Sequence, residues 1–150
     1  MKLEAELKNS KPLAPRQRAL LNIMFTASWL DCAMTRQLRP HGLTPPQYNI
    51  LRILNGSYPT GLSVLDIKSR MIDRSSNVSR LVEKLRLHNL VERVPHIDDR
   101  RMVTVSISDA GKKVLAEIHR HQTMEEKLPG HHLSESEAME LAHLLDKFRE

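Results

Sequence analysis

The sequence predicts a mainly helical α+β chain in which one two-stranded hairpin is flanked by helices on both sides. Three observations predict it. From Pro15 to Leu38 the residues Leu20, Ile23, Ala27, Leu30, Met34 and Leu38 step by three or four, the period of one helix face. Two short helical patterns, about Val64 to Met71 and about Arg74 to His88, follow one another across a tight turn. Behind them, Val91 to Ile97 and Met102 to Ser108 are strand-like, and the four residues between them suit a hairpin loop.

In the long helix a second set, Leu21, Met24, Phe25, Ser28 and Cys32, makes the surface apolar or small around much of its circumference. A helix of that kind needs cover on several sides, and a partner subunit is one source of it. Thr44-Pro45-Pro46-Gln47 combines a cap, a proline at the first helical position and the return partner of a capping box. Leu43 and Tyr48 are placed for a hydrophobic staple. The helix that follows is expected over Pro45 to Asn55, with Tyr48, Leu51 and Leu54 inward. Asn55 to Gly61 reads as a loop.

Ser63 with Asp66 three residues later opens the next short helix. A turn near Ile72-Asp73, without glycine, separates it from the helix expected over Arg74 to His88. In that helix Val78, Leu81, Val82 and Leu85 face inward. Asn89 provides the stop, because asparagine tolerates the left-handed conformation wanted there. In the second strand Val103, Val105 and Ile107 alternate. Ser108 caps a helix from Asp109 to about Glu126, ended by Pro129-Gly130. Ser134-x-x-Glu137 is another capping box, and opens a last helix with Ala138, Leu141, Leu144, Leu145 and Phe148 inward.

The 150 residues suit one domain with a core of its own. The formal charge of +5 is unevenly placed. Residues 74 to 101 hold seven Lys/Arg against four acids, whereas residues 125 to 150 hold three against seven. A basic middle and an acidic tail suit a polyanionic partner met by the middle, although solvated helix faces produce such counts too. The one cysteine excludes an internal disulfide framework. No apolar run reaches membrane-spanning length, and MKLEAELKNSK lacks the apolar core of a signal peptide. A soluble cytoplasmic protein without membrane contact is expected.

The expected helix over Arg74 to His88 carries Ser75, Ser76, Asn77 and Ser79 near its start, residues short enough for the backbone to approach base edges. A helix start offers free N–H groups and a positive dipole end to phosphate. Arg74 stands at the same end. Arg80 reaches a guanine edge or a phosphate, and Lys84 and Arg86 either meet phosphate or face water. At the hairpin tip, Arg100 and Arg101 suit a narrow minor groove of negative potential. A helix for the major groove beside an arginine-tipped ribbon is the equipment of a duplex-binding winged helix-turn-helix.

In order and spacing the chain resembles the MarR family of bacterial transcription regulators over nearly its whole length. The segments that carry the resemblance are Leu43-Thr44-Pro45-Pro46-Gln47-Tyr48, Ser79-Arg80-Leu81-Val82, Leu90-Val91-Glu92-Arg93 and Asp99-Arg100-Arg101. Val103-Thr104-Val105-Ser106-Ile107 followed by Ser108-Asp109-Ala110-Gly111 extends the match. Asn89 departs from the family's usual glycine. The resemblance implies a single domain over residues 1–150, with a winged-helix lobe at 41–108 and dimerisation helices at 12–40 and 109–150. It implies a homodimer on near-palindromic double-stranded DNA, usually as a repressor, answering to a small phenolic or amphipathic effector. It also gives Asp99 a role, bonding a wing arginine and fixing its direction, against the alternative of a plain turn residue.

Other chemistry is less well supported. His119, His121, the pair His131-His132 and His143 have no metal-ligand spacing, so surface histidines are expected and neither metal nor cofactor is implied. Cys32 lies among apolar residues and reads as a packed thiol rather than a sensor. Met24, Trp29 and Met34 are candidates for an effector pocket, set against core or dimer packing. No nucleophile-base motif or phosphate-binding glycine loop appears, so no enzyme activity is nominated. A winged helix used only for protein contacts is the alternative to duplex binding.

Overall fold

The computed structural model describes residues 3–8, 12–95, 103–124 and 130–150. They group into two compact units, residues 1–112 and 113–150. The first unit contains α1 (Leu3–Glu6), α2 (Pro15–Leu38) and a 3-10 turn at Arg39–His41. It continues with α3 (Pro45–Gly56), α4 (Val64–Arg70), α5 (Val78–Leu87), β1 (Val91–Pro95) and β2 (Val103–Ile107). Helix α6 (Asp109–Met124) begins in the first unit and continues in the second, which also holds α7 (Glu135–Phe148).

Local signals set most of these boundaries. Pro15 opens α2, and Gly42 at φ +66° releases the chain toward α3. The capping box of α3 is formed, with the Thr44 N–H donating to Gln47 Oε1 at 3.0 Å. Asn89 takes φ +57° after α5 and donates to the Arg86 carbonyl at 2.9 Å, the helix stop expected of it. The short helix α1 has no counterpart in the sequence reading. Its Leu3 is buried and its Glu4 accepts a hydrogen bond from Arg18 of α2.

Leu38, Ile50, Leu51, Leu54, Ile67, Val82, Leu85 and Ile107 are almost wholly shielded from solvent. Each such side chain contributes about 1.5–3 kcal/mol by leaving water, and together they form the core of the first unit. The strands are antiparallel, with Val91 opposite Ile107 and Pro95 opposite Val103. Gly111 anchors the start of α6 at their base. A Cβ there would lie 2.3 Å from the Leu90 carbonyl oxygen and 2.8 Å from Ile107 Cγ1, so only glycine fits.

Four expectations are corrected. The helix expected from Arg74 begins at Val78, because hydrogen bonds to Asp73 hold Ser75 and Ser76 in a turn and Asn77 supplies the cap. Strand β2 does not alternate buried with exposed: Thr104 and Ser106 are buried beside Val105 and Ile107. Its second edge is occupied by Leu62, which exchanges backbone hydrogen bonds with Val105 at 2.9 and 2.8 Å. Thr104 Oγ1 donates to the Val94 carbonyl at 3.2 Å, which makes burial of its hydroxyl affordable. The apolar residues of α7 are not inward in the single chain, since Leu141, Leu144 and Phe148 are each about half exposed or more. In the single chain Cys32 is exposed rather than packed, because it lies on a side of α2 that the described residues leave uncovered.

Candidate nucleic-acid interface

Helix α3 is the platform for the candidate surface. From it, Asn49 Oδ1 accepts the Ile72 N–H at 3.0 Å and thereby pins the turn between α4 and α5. Ser63 caps α4 by accepting the Asp66 N–H at 3.1 Å, and its hydroxyl donates to the Asp66 carboxylate at 2.6 Å. Arg70, at the end of α4, donates to Ser57 Oγ at 3.1 Å. The turn is thus tied down before α5 starts.

Asp73 organises the turn itself. Its Oδ1 accepts the Ser75 N–H at 2.9 Å and the Ser75 hydroxyl at 2.6 Å, and its Oδ2 accepts the Ser76 hydroxyl at 2.8 Å. Hydrogen bonds from Ser75 and Ser76 hold the Asp73 carboxyl below the usual carboxylate range, so it is ionised at neutral pH. Asn77 Oδ1 then accepts the Arg80 N–H at 3.1 Å and starts α5. Val78, Val82 and Leu85 bury one side of α5, which leaves Ser79, Arg80 and Lys84 on the exposed side.

Charge is distributed unequally over this surface. Every acid of α4, the turn and α5 is engaged within the chain: Asp66 with Ser63, Asp73 with Ser75 and Ser76, and Glu83 with Arg86. Arg86 Nη2 lies 2.7 Å from Glu83 Oε1, and Arg93 Nη2 approaches the same carboxylate at 3.7 Å. The bond from Arg86 holds Glu83 below the usual carboxylate range and raises Arg86 in return. By contrast, the side chains of Lys68, Arg74, Arg80 and Lys84 are exposed and make no hydrogen bond or ion pair among the described residues. Among the described residues, these four cations therefore face solvent with their charge uncompensated.

Leu65, Lys68, Ser69 and Arg74 line a shallow depression of about 350 Å³ between α4 and the turn. Lys68 and Asp73 were not singled out from the sequence. The Asp-x-Ser-Ser run was the available signal for Asp73, because such residues bond their own backbone two positions on. Lys68 had no comparable signal. Of the expected site, Arg74, Ser75, Ser76, Asn77, Ser79, Arg80 and Lys84 fall on one continuous stretch. Asp99, Arg100 and Arg101 lie outside the described residues. Met24 and Trp29 are exposed on α2 and Met34 is half-buried there. No group of three metal-ligating side chains occurs among the described residues, and no described helix is long and apolar enough to cross a membrane.

Two short helices joined by a fixed turn, with an antiparallel hairpin following the second, define a winged helix-turn-helix protein. A sequence model described as MarR family matches residues 41–102. The HTH-type transcriptional repressor MdtR of Bacillus subtilis (strain 168) is 30% identical over 118 residues, covering 76% of this chain and 72% of that relative. The chain belongs to the MarR family of winged-helix regulators. Solved structures agree in fold. CouR from Rhodococcus jostii RHA1, bound to p-coumaroyl-CoA, superposes with a TM-score of 0.74 at 16% identity, over 91% of this chain and 95% of that one. The S. aureus MepR–DNA complex gives 0.73 at 20% identity, over 85% and 91%.

Proposed function

We propose that this chain is a homodimeric regulator of transcription that binds double-stranded DNA, represses by occupying an operator and is released by a small amphipathic ligand. One observation carries the DNA reading: the acids of α4, the turn and α5 are spent on internal bonds while Lys68, Arg74, Arg80 and Lys84 remain uncompensated. Free cations on a fixed surface release counterions when they meet phosphates, which supplies affinity. Arg80 and Ser79 stand on the exposed side of a well-anchored helix, and in this reading they face base edges in the major groove. The family resemblance assigns one of Arg100 and Arg101 to the flanking minor groove, with Asp99 as the residue that would fix its direction.

The dimer reading rests on uncovered apolar surface. Met139, Leu141, Leu144 and Phe148 of α7 and Met24 and Trp29 of α2 are exposed in the single chain. A 14-residue helix with no buried residue has little to hold it in water, and a second copy provides the missing cover. Two copies would set their α5 helices in successive major grooves, about one helical turn apart. MdtR is described as a repressor, MepR is solved with DNA and CouR with p-coumaroyl-CoA, which supports repression and ligand control here. Met24 and Trp29 are read here as part of that dimer contact, and an effector pocket lined by Met24, Trp29 and Met34 is the alternative use of the same side of α2. A titration of duplex binding against salt tests the DNA reading. The log-log slope is expected near −0.9 per neutralised phosphate, and a flat response would leave only protein–protein contacts for this surface.

A further inference from the structure

The carboxylate of Asp73 stands in the middle of the surface assigned to DNA, where a negative charge opposes affinity. Its bonds give it a use. A carboxylate can only accept, so the hydroxyl protons of Ser75 and Ser76 both point to Asp73, at 2.6 and 2.8 Å. Each serine oxygen has one proton, and that proton is committed. What remains on the solvent side of each oxygen is lone-pair density alone. An unrestrained serine, by contrast, rotates its hydroxyl to donate or to accept as its partner requires.

We propose that Asp73 is a specificity-determining positioning residue: by taking the hydroxyl protons of Ser75 and Ser76, it makes both serines obligate acceptors that select amino-bearing bases. In the major groove those bases are adenine, through N6, and cytosine, through N4. Guanine O6 and thymine O4 would place lone pairs against lone pairs and are rejected. Discrimination by an imposed mismatch is a recognised route to specificity. The low-lying acidity of Asp73 keeps the arrangement in force at neutral pH. Asn77 and Asn49 fix the backbone on either side, so the serines hold their direction without help from the ligand. This inference rests on the DNA reading of the same surface.

The test is selection of bound sequences from a random duplex pool by the full-length protein and four variants. Ser75→Ala and Ser76→Ala identify the base positions that each hydroxyl reads. At those positions the unaltered protein is expected to choose adenine or cytosine over guanine or thymine on the strand faced, on the order of fivefold for one hydrogen bond. Asp73→Ala frees both hydroxyls, and the preference should fall to near onefold at both positions with half-site spacing unchanged. Asp73→Asn is the sharper variant, because its oxygen still serves Ser75 while its amide donates toward Ser76. It should relax only the Ser76 position, and it retains the turn if Asp73→Ala unfolds it. A keto preference in the unaltered protein, or an undiminished amino preference in Asp73→Asn at both positions, would overturn the proposal. If the unaltered protein selects no duplex, the DNA reading itself fails and the role of Asp73 falls with it.

Discussion

Helices α5 and α7 begin alike and end in opposite circumstances. Each is capped by a small polar residue, Asn77 accepting from the Arg80 N–H and Ser134 from the Glu137 N–H. Yet the 10 residues of α5 include three that are buried, whereas none of the 14 residues of α7 is. A cap satisfies free N–H groups at one end of a helix and says nothing of where its side belongs. Helix α5 is placed by its own core, which lets its exposed side be rigid enough to read a surface. Helix α7 keeps its apolar side available, and in the proposed dimer it is placed only by a second copy.

The largest effect that would break this contrast concerns α7. Replacing Leu141 and Leu144 together by glutamate should yield monomers, and duplex affinity should drop on the order of 10²- to 10⁴-fold as two-site binding is lost. Sedimentation of a stable dimer from that variant would remove α7 from the interface. Next in size, Leu85→Ala in α5 should cost about 2–5 kcal/mol of unfolding free energy in denaturant titrations, since Leu85 is wholly buried. A loss below 1 kcal/mol would mean that α5 is not held by its core.

The reading surface gives a smaller and more selective effect. Arg80→Ala should weaken binding to the preferred duplex by about 1–3 kcal/mol and relax preference at one position per half-site. Arg86→Ala, by comparison, removes a cation already bonded to Glu83 on the surface and should leave folding stability almost unchanged in denaturant titrations. Equal weakening for all duplexes by Arg80→Ala would make Arg80 a phosphate contact. The smallest expected effects come from the caps. Asn77→Ala and Ser134→Ala should each cost about 1 kcal/mol of stability, read from thermal unfolding at fixed protein concentration. If only Ser134→Ala acts, the Asp73 bonds alone are enough to start α5.

Much of the architecture was legible in the sequence because its signals are local. Thr44 with Gln47, Ser63 with Asp66, Asn89 and Ser134 with Glu137 each bond within a few residues of themselves, and Pro15 acts through its own ring, so spacing alone announces them. The run from Arg74 to Lys84 was legible as a candidate site for the same reason, although its helical start was not. Asp73 competes with the helix for Ser75 and Ser76, and that contest depends on where the carboxylate points. The uncompensated state of Lys68, Arg74, Arg80 and Lys84 was hidden as well, since a charge count does not say which acids are already engaged.

The sequence by itself determined the order of helices and strands, the caps between them and the family, because period, turn chemistry and short motifs are properties of neighbouring residues. Tertiary structure alone decided that Thr104 and Ser106 are buried, because Leu62 arrives from more than 40 positions away to close the edge of β2. It also decided that Cys32 and the apolar side of α7 face outward. Burial is a relation between distant parts of a chain, and a linear pattern can state only that an apolar face exists, not what will cover it.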